Sequence, residues 1–150
     1  MIRSYNAKMI YNLYIFDKTG KLLFYTEWNR FKQSGMSRNE EGKLMYGMLF
    51  SLKNFVTKIS PYDMKQGFLC FKTNKYALHF METPSGLKFV LNTDISAQKV
   101  REILQQLYNN VYVNYVTRNP IHNLQDSIKS ELFKSKLNSF MKQTHIYLSK

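Results

Sequence analysis

Residues 8–27, KMIYNLYIFDKTGKLLFYTE, decide the fold. From Lys8 to Phe16 the side chains follow the strand period of two, with Ile10, Tyr14 and Phe16 on one face and Tyr11, Leu13 and Ile15 on the other. Both faces are apolar, which predicts a strand covered on both sides and therefore central in its sheet. Asp17-Lys18-Thr19-Gly20 is a turn that ends in glycine, as a type I or bulged hairpin favours. Lys21–Glu27 returns as the second strand.

Beyond the hairpin, Trp28–Arg38 is polar and basic, contains Gly35, and reads as a loop. Ser37 and Glu40 are spaced as a capping box at the start of a helix. Leu44, Met45, Met48, Leu49, Leu52, Phe55, Val56 and Ile59 then recur in steps of three and four, one amphipathic stripe. Pro61 stops the helix, because its predecessor is forced out of helical geometry. Gly47 in mid-helix costs about 1 kcal/mol relative to alanine, so a close approach to the helix backbone is expected there, by the sheet or by a partner helix.

Three more strands are expected at Gly67–Thr73, Tyr76–Glu82 and Leu87–Thr93, an antiparallel meander joined by Asn74-Lys75 and Thr83-Pro84-Ser85-Gly86. Asp94 or Ser96 caps a second helix with the stripe Val100, Ile103, Leu104, Leu107, Tyr108, Val111 and Tyr115, ended by Asn119-Pro120. A third helix from about Asp126 carries Ile128, Leu132, Phe133, Leu137, Phe140 and Met141. The order is ββαβββαα in a single domain spanning residues 1–150. A five-stranded, antiparallel-rich α/β (α+β) sheet with the first helix on one face and the last two on the other buries every stripe.

Composition limits what such a domain can do. With 150 residues, 44% hydrophobic and 11 each of Phe and Tyr, the chain fills a core without a disulfide or metal staple. The aromatic content exceeds what a small isolated domain needs, and surplus aromatics serve interfaces. The one cysteine, Cys70 in the run Phe68-Leu69-Cys70-Phe71, rules out an internal disulfide and reads as a buried small hydrophobe. No stretch approaches the ~18–20 apolar residues of a membrane span, and neither a signal peptide nor a lipidation box is recognised. The net charge of +12 invites a nucleic-acid or acidic-membrane partner. The basic residues are spread along the chain rather than clustered, so the charge is permissive rather than diagnostic.

Motifs for catalysis are scarce. His79, His122 and His145 are isolated, without the paired spacing of a metal site, and no nucleophile elbow, phosphate loop or dinucleotide fingerprint occurs. No catalytic, metal-binding or cofactor-binding residue is assigned. Lys65-Gln66-Gly67-Phe68-Leu69-Cys70-Phe71 resembles an RNA-recognition strand, but that domain runs βαββαβ, with one strand before its first helix, whereas two precede it here.

The order ββαβββαα is that of longin, or profilin-like, domains. The strings Asn12–Asp17, Tyr25–Trp28 and Lys43–Ser51 closely resemble the small longin-fold subunits of trafficking protein particle (TRAPP) complexes. So do Ser60-Pro61, Asp63–Lys65, Gly67–Leu69, Glu82–Pro84 with Gly86, Asn92–Asp94, Asn119-Pro120 and Ser130–Phe133. Singly these strings are weak; their order and spacing, over roughly residues 9 to 142, are specific.

The resemblance implies a non-catalytic scaffold subunit that pairs with a second longin-fold subunit. The assembled vesicle-tethering complex would act as guanine-nucleotide exchange factor for a Rab-family GTPase in ER-to-Golgi transport. It also implies a cytoplasmic protein held peripherally at ER and cis-Golgi membranes, with no cofactor and no nucleic acid. Tyr46, Gly47, Met48 and Phe50 lie around the first helix and cannot all face one sheet, so they are the candidate partner interface. Arg30, Lys32 and Arg38 are the candidate basic surface. Another longin-type adaptor module is the alternative, and an RNA-binding domain a more distant one.

Overall fold

The computed structural model describes residues 10–28, 35–59, 68–120 and 127–144. Its elements are β1 (Ile10–Phe16), β2 (Leu22–Glu27), α1 (Arg38–Ile59), β3 (Phe68–Lys72), β4 (Ala77–Glu82), β5 (Lys88–Thr93), α2 (Val100–Leu107) continuing as a π-helical segment (Tyr108–Thr117), and α3 (Glu131–Lys142). The five strands form one sheet in the order β2-β1-β5-β4-β3, every neighbouring pair antiparallel. The expected order and layering are those observed.

β1 lies between β2 and β5, and each of its faces meets a separate hydrophobic cluster. On one face Tyr14 and Phe16, with Leu78, Phe80 and Val90 from β4 and β5, pack against Leu49 and Met45 of α1. On the other, Leu13, Ile15, Leu23, Phe24, Phe89 and Leu91 pack against α2, the π-helical segment and α3. Ile10 joins this second cluster rather than lying with Tyr14 and Phe16 as simple alternation predicts. The pairing of β1 with β5 shifts register between Ile10 and Asn12, and a bulge of that kind moves a side chain to the opposite face.

The β1–β2 turn is held by Asp17, whose Oδ1 accepts from the Thr19 and Lys21 amides at 2.9 Å each and from the Thr19 hydroxyl at 2.7 Å. The capping box forms as expected: the Glu40 amide donates to Ser37 Oγ at 3.2 Å and the Ser37 amide to Glu40 Oε2 at 3.4 Å. The close helix–sheet approach is at Gly42, where an added Cβ would sit 3.2 Å from Leu22. At Gly47 such a Cβ would meet nothing within 4 Å.

Three helix boundaries or faces differ from expectation. α2 begins at Val100, later than an Asp94 or Ser96 cap implies. The Asp94 side chain is engaged in its own turn, accepting from the Ile95 amide and the Ser96 hydroxyl at 2.8 Å each. From Tyr108 the backbone bonds close five residues back, and the buried Val116 lies four and five residues past the buried Tyr112 and Val111. That shift places Tyr112 and Val116 in the core and leaves Tyr115 half-buried. α3 starts at Glu131, where Ser130 Oγ caps the Phe133 amide at 3.2 Å. Ile128 is buried in the approach to it, its amide donating to the Leu23 carbonyl at 2.8 Å, and Leu132 faces solvent. Cys70 is exposed rather than buried, because β3 is an edge strand of the sheet.

Core aromatics meet edge to face across the helix–sheet junction and between the helices. Phe24 meets Phe133 at 5.0 Å, and Tyr112 lies 5.5 Å from Phe89 and 6.4 Å from Phe133. Two hydrogen-bonded pairs of buried polar side chains sit in the sheet itself. Asn92 donates to Asn12 at 2.7 Å, and His79 shares a 2.9 Å hydrogen bond with the Thr93 hydroxyl. Burial first, and Lys72 second, pull the His79 imidazole down to about 4.

Two stability predictions follow from these contacts. Gly86 has φ +92, and a Cβ there would lie 2.7 Å from Lys18 Cβ, whereas Gly35 has φ +79 and open space around it. Gly86→Ala should therefore lower stability by about 2–3 kcal/mol and Gly35→Ala by only about 1 kcal/mol, read as shifts of the urea midpoint. His79 stays neutral in the fold while the unfolded chain takes up a proton near the ordinary value of 6.5. Stability should be full above that pH and fall as the pH drops towards about 4, by up to about 3 kcal/mol in all. His79→Gln should flatten that part of the pH profile, and an unchanged profile would place the titration elsewhere.

Candidate partner interface

α1 is a 22-residue helix with apolar residues on more than one side, so only some of them can be seated on the sheet. Leu49 is buried and Met45, Tyr46 and Leu52 are half-buried, whereas Leu44, Met48, Phe50 and Phe55 are exposed, Leu44, Phe50 and Phe55 each by more than half. The expected single stripe therefore divides. At 100° per residue Leu44, Met48 and Phe55 fall within about 40° of one another, on a flank of the helix that the sheet does not reach.

The structure places the four candidate residues on two flanks. Tyr46 turns inward: its ring lies 5.8 Å from Phe16, and a Cβ on Gly20 would come within 2.8 Å of it. The Lys88 ammonium sits 5.6 Å from the centre of the same ring. Phe50 stacks on the outer side of Tyr46 at 6.5 Å, so an exposed aromatic is tied to the core through a half-buried one. Gly47 is exposed and shares with Tyr46, Lys43, Asn39 and Lys21 a cavity of about 610 Å³. Met48 lies on the other flank, with Leu44 and Phe55. Periodicity alone counts all three in the core-facing stripe; the signal that separates them is an apolar set too wide for one face.

Arg38 is the first residue of α1 and is engaged in a local charge cluster. Its guanidinium lies 2.8 Å from Glu27 and 3.2 Å from Glu41, and stacks 4.4 Å over the Tyr25 ring. The partly exposed pair with Glu27 contributes on the order of 0–1 kcal/mol, whereas Glu41 is buried and takes the guanidinium as its charge partner. Arg30 and Lys32 lie outside the described residues, as do His122 and His145. Among the described residues no group of three or more His, Cys, Asp or Glu is arranged to hold a metal ion. None of the described helices is long and apolar enough to cross a membrane.

The division of α1 predicts a difference between adjacent positions. Leu49→Ala should cost about 2–5 kcal/mol of stability, because it opens a cavity beneath the helix. Phe50→Ala should change it by less than about 1 kcal/mol, because little is buried there. Denaturant titration of the two variants checks this; equal losses would mean that Phe50 is part of the core.

Residues 10–144 match the Sybindin-like family. The chain is 50% identical over 133 residues to trafficking protein particle complex subunit 1 of Rattus norvegicus, covering 89% of this chain and 92% of that protein. It is 43% identical over 137 residues to the protein of the same name from Dictyostelium discoideum, covering 90% and 96%. It is 36% identical over 116 residues to trafficking protein particle complex subunit BET5 of Saccharomyces cerevisiae, covering 73% of each. A match that runs from the first strand through the third helix, with half the residues shared across nearly the whole of a relative, makes this chain a member of the Sybindin-like family.

Proposed function

We propose that this chain is a non-catalytic scaffold subunit of a TRAPP-type vesicle-tethering complex. In this reading it docks a second longin-fold subunit on the outward face of α1. The observation that carries it is the exposure of Leu44, Met48, Phe50 and Phe55 on a helix whose inner face is already seated. These side chains are each about half exposed, and burying the remainder against a partner is worth roughly 1 kcal/mol apiece, a drive towards association. The 50% identity to a protein named as a subunit of such a complex supports the same reading.

Gly47 gives the pairing a geometric motive. Without a Cβ, and with open space above it, it lets a partner helix approach the α1 backbone between Met48 on one side and Tyr46 and Phe50 on the other. The assembled complex, rather than this chain alone, would then act as guanine-nucleotide exchange factor for a Rab GTPase in ER-to-Golgi transport. The chain itself would be cytoplasmic and reach ER and Golgi membranes through its partners. The +12 charge favours an acidic membrane surface, each well-placed Lys or Arg adding about 1 kcal/mol.

The test is affinity purification of the tagged protein at moderate salt, with partners identified by mass spectrometry. Stoichiometric recovery of several small subunits, including a second longin-fold protein, is expected. Phe50→Ala and Met48→Ala should each reduce that recovery about tenfold or more while leaving the chain folded. Recovery of the protein alone, or with RNA in a salt-sensitive manner, would overturn the assignment.

A further inference from the structure

A second cavity, of about 690 Å³, lies between the β1–β2 turn, the β4–β5 turn and the π-helical segment. Its size falls within the roughly 300–1,000 Å³ typical of small-molecule sites. Its lining is of two kinds. Lys18 and Lys21 come from the first turn and Thr117 from the end of the π-helical segment, all polar or cationic. Leu87 and Tyr108 supply an apolar and aromatic wall, and Tyr112, only 1% exposed, backs it from the core.

The frame is fixed by backbone contacts. Gly86 packs directly against Lys18, and the Lys88 ammonium donates to the Gly86 carbonyl at 3.0 Å and to the Lys18 carbonyl at 3.5 Å. Among the described residues the acid lining the cavity is Asp17, whose Oδ1 is already taken up by the turn. Burial pushes the Asp17 carboxyl upward, but hydrogen bonds from Thr19, Lys21 and Gly20 outweigh it and leave the group below its ordinary range. The Tyr112 phenol, pushed up to about 12 by burial and by neighbouring Tyr108, keeps its proton at neutral pH. The wall thus combines cations, hydroxyl groups and ring faces.

We propose that this cavity binds an organic phosphate, with the phosphate group held by Lys18, Lys21 and Thr117 and the apolar body against Leu87 and Tyr108. A phosphomonoester carries close to two negative charges and three acceptor oxygens, which suits two ammonium groups and a hydroxyl better than a single carboxylate does. Inorganic phosphate alone would leave most of the volume, and all of the aromatic wall, unused. The inference does not rest on the assembly reading.

The experiment is amide NMR on the full chain titrated with monomeric dihexanoyl phosphatidic acid, with inorganic phosphate and dihexanoyl phosphatidylcholine alongside. Saturable shifts confined to residues around Lys18, Ser85, Tyr108 and Thr117 are expected, with affinity about tenfold or more above that of inorganic phosphate. The variant Lys18→Ala/Lys21→Ala and, separately, Tyr108→Ala should each weaken binding about tenfold while thermal melting confirms the fold. Binding equal to that of inorganic phosphate, shifts spread over other lysine-bearing surfaces, or variants that bind as the parent does would overturn the proposal. Phosphatidylcholine vesicles with and without phosphatidic acid separate the sources. Capture that needs phosphatidic acid and the two lysines assigns a lipid headgroup, and monomer binding without vesicle capture assigns a soluble phosphate ester. Vesicle capture without monomer binding would overturn the cavity as the site.

Discussion

β1 can be seated only where both of its faces are covered, and the rest of the architecture satisfies that demand. One face carries Tyr14 and Phe16, the other Leu13 and Ile15, all buried. A two-stranded hairpin cannot meet the requirement, so β5 pairs with the free side of β1 and brings the β3–β4–β5 meander with it. The helices then divide between the two faces. The link is long in sequence: the buried Asn92–Asn12 amide hydrogen bond joins residues 80 apart. Two local pieces, the hairpin and the meander, must find each other through that pairing, a loop closure that slows folding more than it affects final stability.

Most of the architecture was legible because period, turn chemistry and caps agreed with one another. The Asp17–Gly20 turn, the Ser37–Glu40 capping box and the five strands each had a local physical cause that the tertiary structure had no reason to override. The misreadings share a different origin. Ile10 changes face through a register shift that alternation does not encode. Asp94 is as good a cap as any for α2, yet its oxygens satisfy their own turn first. Cys70 has the neighbours of a core residue, but edge position is a property of the whole sheet and not of five residues. The switch to π-helical bonding after Leu107 has no composition signal that we recognise.

The candidate interface was partly legible for the same reason. An apolar set too wide for one helix face says that some of it is exposed, without saying which part. Tyr46 and Phe50 are two of the four candidate residues, and the structure couples them through ring stacking, one facing the core and one facing water. Leu44 and Phe55 fitted the stripe by periodicity but not by position, because the side of α1 turned to the sheet is the one that carries Gly42 and Leu49.

The edge position of β3 also gives the molecule a built-in reporter. Cys70 is the sole thiol of the chain and is exposed on that strand. A maleimide dye or nitroxide spin label would therefore attach at one defined place in the unaltered sequence. Its neighbourhood on β3 pairs residue by residue with β4, Cys70 opposite His79, so the label would sit beside a sheet margin whose backbone groups can accept another strand. Emission or spin mobility from that single site would reveal whether anything occupies the margin, with no cysteine to remove and none to introduce.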